Sequence, residues 1–181
     1  MKELKYKIEI YDVLSSTQEK AKELGPNAKP GYVIMAKEQT KGYGKEKIFW
    51  FSPKGGLYFS VILPKTKIED VQILTFLTAL VISQTIKERF SLEPLIKLPN
   101  DILINQKKIC GILTENVLSP REVKLSIIGV GLNTNIEYFP EELKEKATSL
   151  KIELGKDVDN QEILEEILKK LKEYLDIFSI D

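Results

Sequence analysis

Histidine is absent from these 181 residues, and that absence removes more chemistry than any other feature of the chain. Without imidazole there is no Ser-His or Cys-His nucleophile and no imidazole-ligated metal centre. Cys110 is the single cysteine, which excludes a disulfide within the chain and a thiolate zinc cluster. Arginine is scarce too: Arg89 and Arg121 stand alone, and lysine supplies the rest of the positive charge. Lys+Arg and Asp+Glu balance at 27 each, so no net field draws the chain to nucleic acid or to a membrane, and any anion site must be local. No segment approaches the roughly 18 uninterrupted apolar residues of a membrane span. The N-terminal "MKELKYKIEIYDV" alternates charged and apolar residues and lacks the apolar centre of a signal peptide, so a cytoplasmic location is the expectation.

What is present is a chain with 43% apolar residues, enough for one globular domain with a real core. Residues 5 to 13 alternate as a strand. "SSTQEKAKELGP" reads as a short helix, capped by Ser15, Ser16 or Thr17 and ended by Gly25-Pro26. "GYVIMAK" and "LYFSVIL" are strands, the second closed by Pro64. Glu69 to Phe90 predicts a long helix, apolar over most of its surface and therefore buried against a sheet. "PLIKLP", "DILI", "KKICGILTENV" and "EVKLSIIGVGLN" follow as strands joined by tight turns, which implies a largely antiparallel sheet. The last helix carries an apolar stripe of Ile163, Leu164, Ile167, Leu168, Leu171, Tyr174, Leu175 and Phe178. The fold class expected is α+β: a mixed, largely antiparallel sheet flanked by helices.

Four polar stretches interrupt this pattern, and each has an ordinary explanation. Ser16-Thr17-Gln18 can simply start a helix. "KGYGK" can be a flexible loop, and "GVGLN" a strand end where glycine admits close packing. Lys107-Lys108 can be a solvated hairpin edge. Cys110, between Ile109 and Gly111, reads as a small buried apolar residue rather than a reactive thiol.

In order, "SSTQ", "QTKGYGKEKIFWFSPKGGLYFS", "KLPNDILINQKKICGILTE" and "IIGVGLNTN" resemble the biotin protein ligase catalytic domain. The corresponding runs there read D-S-T-N, G-R-G-R-x-G-R-x-W-x-S-P-x-G-G-L-Y, K-W-P-N-D…K-x-x-G-I-L-x-E and G-x-G-I-N. The resemblance implies a core similar to class II aminoacyl-tRNA synthetases. It also implies an enzyme that uses ATP and Mg²⁺ to make biotinyl-AMP from biotin, then passes biotin to one lysine of a biotin carboxyl carrier domain. Biotin's carboxylate is an anionic nucleophile at neutral pH, so the missing histidine is no obstacle; what the step needs is charge neutralised where two anions meet. By the same resemblance Lys108 is the catalytic lysine, Asp101 the acid beside it, and Lys97 a second cation. Ser16, Thr17 and Gln39 match polar contacts to biotin, while Gly42, Gly44 and Lys45 match the loop over biotin and the adenylate phosphate. Trp50 and Leu113 would supply apolar wall, Gly111, Gly129 and Gly131 a floor without side chains, and Asn133 an adenine contact.

The departures are specific. The glycine-arginine run is here Gly42-Tyr43-Gly44-Lys45-Glu46-Lys47-Ile48, without arginine and with one glycine fewer, and Leu98 replaces a tryptophan. The resemblance spans 1–181 as a single biotin ligase catalytic domain, with no DNA-binding domain before it and no small β-barrel after it expected. No DNA or membrane partner is expected, and an edge strand would guide the carrier by β-augmentation or serve a homodimer contact. Two other functions stay open: a lipoate–protein ligase, which shares fold and adenylation chemistry, and a non-catalytic biotin-binding module.

Overall fold

The computed structural model describes residues 4–25, 28–63, 71–118 and 123–178. Seven strands form one sheet in the order β1-β2-β3-β7-β6-β5-β4. They are β1 (Lys7–Tyr11), β2 (Tyr32–Ala36), β3 (Leu57–Leu63), β4 (Leu95–Lys97), β5 (Asp101–Ile104), β6 (Lys107–Leu118) and β7 (Val123–Leu132). Every neighbouring pair is antiparallel except β1 and β2, which run parallel. That exception follows from the helix between them, α1 (Thr17–Leu24), because a parallel pair needs a crossover and a hairpin cannot supply it. The mixed α+β architecture expected from sequence is the one observed.

The two faces of the sheet bury different material. On one, alternate residues such as Val33, Phe59, Val61, Ile128 and Leu132 join α2 (Val71–Phe90) and the C-terminal helix in a single large core. The opposite face sets Ile34, Ile62 and Ile127 against Ala21 of α1 in a smaller cluster. Helix α2 is apolar on several sides because it is covered by the sheet below and by another helix above. Two short helices not foreseen in the sequence, α3 (Glu141–Lys144) and α4 (Leu150–Leu154), precede the last one. The last, α5 (Asn160–Ile177), is capped by Asp159, whose side chain accepts from the N–H groups of Gln161 and Glu162. Its stripe is buried as expected at Ile163, Leu164, Ile167, Leu168, Leu171 and Leu175. Phe178 corrects the reading: it is exposed past the helix end, stacked at 6.5 Å on Tyr174. Pro26, Pro64 and the expected first turn of α2 at Glu69-Asp70 lie outside the described residues.

One irregularity decides where the functional face lies. Along β5 and β6 the register runs Asp101↔Gly111 and Ile102↔Cys110, then slips to Leu103↔Lys108. One residue of β6 is therefore extra, a bulge. In a regular strand Lys108 and Cys110 point the same way, and Cys110 is fully buried in the main core. The bulge leaves Ile109 and Cys110 both buried in succession, while Lys108 is turned to the face that carries Asp101 and Gly111.

Candidate active site

The face of the sheet beyond α1 opens into a cleft of about 430 Å³. Its floor is β6 and β7, where Gly111 stands opposite Gly131 and Leu113 opposite Gly129. One wall is the first turn of α1 with Gln39, another is the segment from Tyr43 to Phe51, and the third runs from Phe139 to Ala147. Lys108 and Asp101 line the cleft as an ion pair of 2.7 Å. The Lys108 ammonium is also 5.0 Å from the centroid of the Trp50 ring, within cation–π range. Segment 146–148 runs alongside the start of β6: Lys108 N–H donates to Lys146 O (2.8 Å) and Thr148 N–H to Lys108 O (3.0 Å). The backbone of Lys108 is thus fixed on both sides, which leaves its side chain as the adjustable part.

The polar residues expected to contact the ligand form a connected set, but their surroundings differ from one another. Ser16 is the N-cap of α1, its hydroxyl accepting from the N–H groups of Gln18 (3.2 Å) and Glu19 (3.4 Å). Its lone pairs are thereby engaged in the cap, its O–H remains a donor, and the residue lines the cleft. Thr17 donates to Gln39 Oε1 through both its N–H (2.8 Å) and its hydroxyl (3.1 Å). Gln39 Nε2 continues to Ser52 Oγ at 3.0 Å, and Ser52 donates to Trp50 O at 2.9 Å. Gln18, passed over in the sequence, lies buried on the floor: its Oε1 is 2.9 Å from Ser60 Oγ and its Nε2 donates to Ile127 O (3.4 Å). Its signal in the sequence was its place at the end of "SSTQ", where the family run D-S-T-N has an amide.

The glycines split in the same way. A Cβ on Gly131 would stand 2.3 Å from Trp50 Nε1, and one on Gly129 would stand 2.5 Å from Gln18 Oε1. The floor is therefore bare where an indole and an amide lie against it. Gly44 and Lys45 line the cleft as expected. Gly42 does not; it is packed where a Cβ would meet Ser52 Oγ at 2.5 Å and Gln39 Nε2 at 2.9 Å, so it supports Gln39 from behind. Lys97 is likewise outside: it stands opposite Asp101 at the end of β4, exposed and off the cleft lining, and the partner of Asp101 is Lys108. Asn133 is buried, and its Nδ2 faces two carbonyl oxygens, Thr148 O (3.0 Å) and Lys108 O (3.5 Å). That fixes the amide orientation and leaves Oδ1, like Trp50 Nε1, without a hydrogen-bond partner among the described residues. Each is a buried polar group with unmet hydrogen-bonding capacity at a cleft wall.

The electrostatics are lopsided. Among the described residues, Lys45, Lys108 and Lys146 line the cleft against one carboxylate, Asp101. Cys110, one residue from the floor, takes no part, since burial pushes its thiol well above its ordinary value. Among the described residues no group of three or more His, Cys, Asp or Glu is gathered as a metal cage.

A profile of the biotin/lipoate A/B protein ligase family matches residues 10–133, the span from β1 to Asn133. The chain is 41% identical over 174 residues to the bifunctional ligase/repressor BirA of Bacillus subtilis, covering 91% of this chain and 54% of that protein. It thus spans about half the length of the curated relatives it matches first. Among solved structures, the biotin protein ligase of Aquifex aeolicus in complex with biotin and ATP superposes with a TM-score of 0.86 at 36% identity, over 94% of this chain and 71% of that one. The Leishmania major biotin protein ligase in complex with biotinyl-5-AMP gives 0.74 at 27% identity, over 91% and 73%. With the family model matching 10–133, the sequence identity to BirA and the superposition of the fold in agreement, the chain belongs to the biotin/lipoate A/B protein ligase family.

Proposed function

We propose that the chain activates biotin with ATP to biotinyl-AMP and transfers the biotinyl group to one lysine of a biotin carboxyl carrier domain. The observation that carries this reading is the cleft's charge: among the described residues, three lysines line it against one carboxylate. Such a cleft suits a reaction in which a carboxylate must approach a phosphate, because the cations offset the repulsion of two anions. In the first step a biotin carboxylate oxygen bonds to the α-phosphorus, and the bond from that phosphorus to the bridging oxygen breaks with release of pyrophosphate. No proton moves, so no general base is needed. In the second step the carrier's lysine, as the free amine, attacks the acyl carbon, the bond from that carbon to the phosphate oxygen breaks with AMP leaving as the anion, and the nitrogen gives up its proton to water as the amide forms.

Lys108 is assigned to the charge that builds on the α-phosphoryl oxygens, with Asp101 holding its ammonium at 2.7 Å. Lys45 and Lys146 flank the same space from the 43–51 segment and from the segment after α3. Thr17 and Gln39 present a fixed set of polar atoms to the ureido ring, and the unpartnered Asn133 Oδ1 is an acceptor suited to adenine's amino group. A protein-held Mg²⁺ does not fit these residues, since among the described residues Asp101 is the one carboxylate lining the cleft and is committed to Lys108. The form that fits is a hydrated ion accompanying the ATP phosphates, and no step above depends on it. The reading places the reaction in the cytoplasm, where ATP is available; no helix among the described residues is long and apolar enough to cross a membrane. It treats 1–181 as one catalytic unit, with a homodimer as a further part of the proposal, testable by sedimentation.

The test is ATP–pyrophosphate exchange dependent on biotin, followed by intact-mass analysis of a carrier domain incubated with the chain. Exchange with biotin and one added biotinyl group on the carrier is the expected result. Exchange with lipoate in place of biotin would make the chain a lipoate ligase, and saturable biotin binding without exchange would make it a binding module.

A further inference from the structure

The segment from Lys41 to Phe49 is a hairpin with its own polar lock, which none of the roles above uses. Its turn is left-handed at both central residues, Glu46 (φ 58°) and Lys47 (φ 60°). It is closed by Ile48 N–H to Lys45 O at 3.1 Å and by Gly44 N–H to Ile48 O at 2.8 Å. Lys47 stands where the biotin ligase motif has its third glycine, so this chain keeps a side chain where the backbone favours none. What Lys47 makes in return is specific: its Nζ lies 3.5 Å from the centroid of the Tyr43 ring and 2.9 Å from Glu19 Oε1. The Tyr43 hydroxyl donates to Glu19 Oε1 at 2.5 Å, with Glu115 Oε2 at 3.2 Å as its other acceptor, and it accepts from Lys22 Nζ at 2.9 Å. Lys22 in turn pairs with Glu115 at 2.9 Å. Two carboxylates, two ammonium groups and one phenol thus tie the hairpin to α1 and to β6, with the formal charges balanced. Both anchors also carry cleft residues, Thr17 on α1 and Gly111 on β6.

We infer that Tyr43 is a positioning residue: through Glu19, Lys22 and Glu115 it holds the hairpin so that Gly44 and Lys45 face the cleft, and Lys47 belongs to this lock instead of to the phosphate contacts. The inference deepens the proposed adenylation site and rests on that reading for its consequence. A motif without arginine then works by fixing one lysine in place, where an arginine loop would gather several forks around the phosphate. The hairpin's exposed Ile48 and Phe49 give it little apolar anchoring, so its order depends on the polar ring.

The first arm of the test needs no activity. The full chain, Tyr43→Phe, Glu19→Gln and the surface control Tyr138→Phe (79% exposed) are digested with trypsin without ligands. Cleavage after Lys41 and Lys45 should be about tenfold faster in both lock variants, the effect of losing one charge-assisted hydrogen bond, and unaltered in the control. Equal rates in all four would overturn the inference, and if Tyr43→Phe fails to fold, Glu19→Gln decides. The second arm loads labelled biotin with ATP and follows release of biotinyl-AMP in a chase. Glu19→Gln should raise the release rate and the KM for ATP by about tenfold, with kcat for exchange falling less. A fall in kcat at unaltered KM and release would assign the ring to the chemical step and refute a positioning role. A wild-type chain that forms no adenylate defeats the proposed function, while the proteolysis arm still judges the lock.

Discussion

Lys108→Ala is the perturbation whose outcome the geometry constrains most tightly. The side chain is 33% exposed and pairs with an Asp101 side chain that is 24% exposed. Removing it therefore opens no core cavity, and it leaves one partly hydrated carboxylate unpaired. For so accessible a pair the stability cost is about 1 kcal/mol or less, a fall of roughly 2–4 °C in Tm for a chain of this size. The rate is another matter. One electrostatic contact aimed at charge that develops in the transition state contributes about 10²–10³-fold, so biotin-dependent ATP–pyrophosphate exchange should drop by that factor in a folded protein. Lys108→Arg should fall between the two, since charge is kept but a planar fork replaces a point charge. Asp101→Asn keeps the cation and loses its tether, and should cost about tenfold, as expected for one charge-assisted hydrogen bond. Exchange within about threefold of wild type in a folded Lys108→Ala, on a scale where one such contact supplies 10² or more, would refute the assignment of Lys108 and the charge argument behind it.

Gly131→Ala places a Cβ 2.3 Å from Trp50 Nε1; the indole must leave the floor, and the fluorescence of this single tryptophan should shift, with biotin binding weakened in calorimetry. Asn133→Asp sets a carboxylate oxygen against the carbonyls of Thr148 and Lys108 and should lower stability by about 1–3 kcal/mol in urea titration. Leu171→Ala removes a fully buried side chain from the core under α5 and should cost about 2–5 kcal/mol, leaving KM for biotin unaltered at low temperature. Glu19 is held at about 2, below its ordinary 4.5, first by the hydrogen bond from Tyr43 and next by Lys47, with the charges of Lys22 and Lys47 adding to it; Glu115 faces the same ring. A carboxylate lowered in this way contributes stability that is full above pH 4.5 and is lost as pH falls through about 2, so Trp50 fluorescence at the base of the hairpin should titrate in that window and Glu19→Gln should abolish the transition.

Local pattern was sufficient for most of the architecture. The alternation of "LYFSVIL" and "EVKLSIIGVGLN", the capped start of α1 and the stripe of α5 are properties of short segments, because strand and helix periodicities are set by neighbours in sequence. The absence of histidine excluded whole classes of chemistry before any fold was considered. The ordered motifs then marked Lys108, Asp101, Thr17, Gln39 and Asn133, which the fold brings to one cleft. Only the tertiary structure decided that Lys108 reaches the cleft at all, because an extra residue in β6 turns it away from the core that takes Cys110. It also removed Lys97 and Gly42 from the lining and added Gln18, since which residues touch depends on strand register and side-chain packing across 100 residues or so of chain. The Tyr43 ring had no sequence signal for the same reason: Glu115 Oε2 and the Tyr43 hydroxyl are 3.2 Å apart in space and 72 positions apart in the chain, and hydrogen bonds at that separation are written by the fold alone.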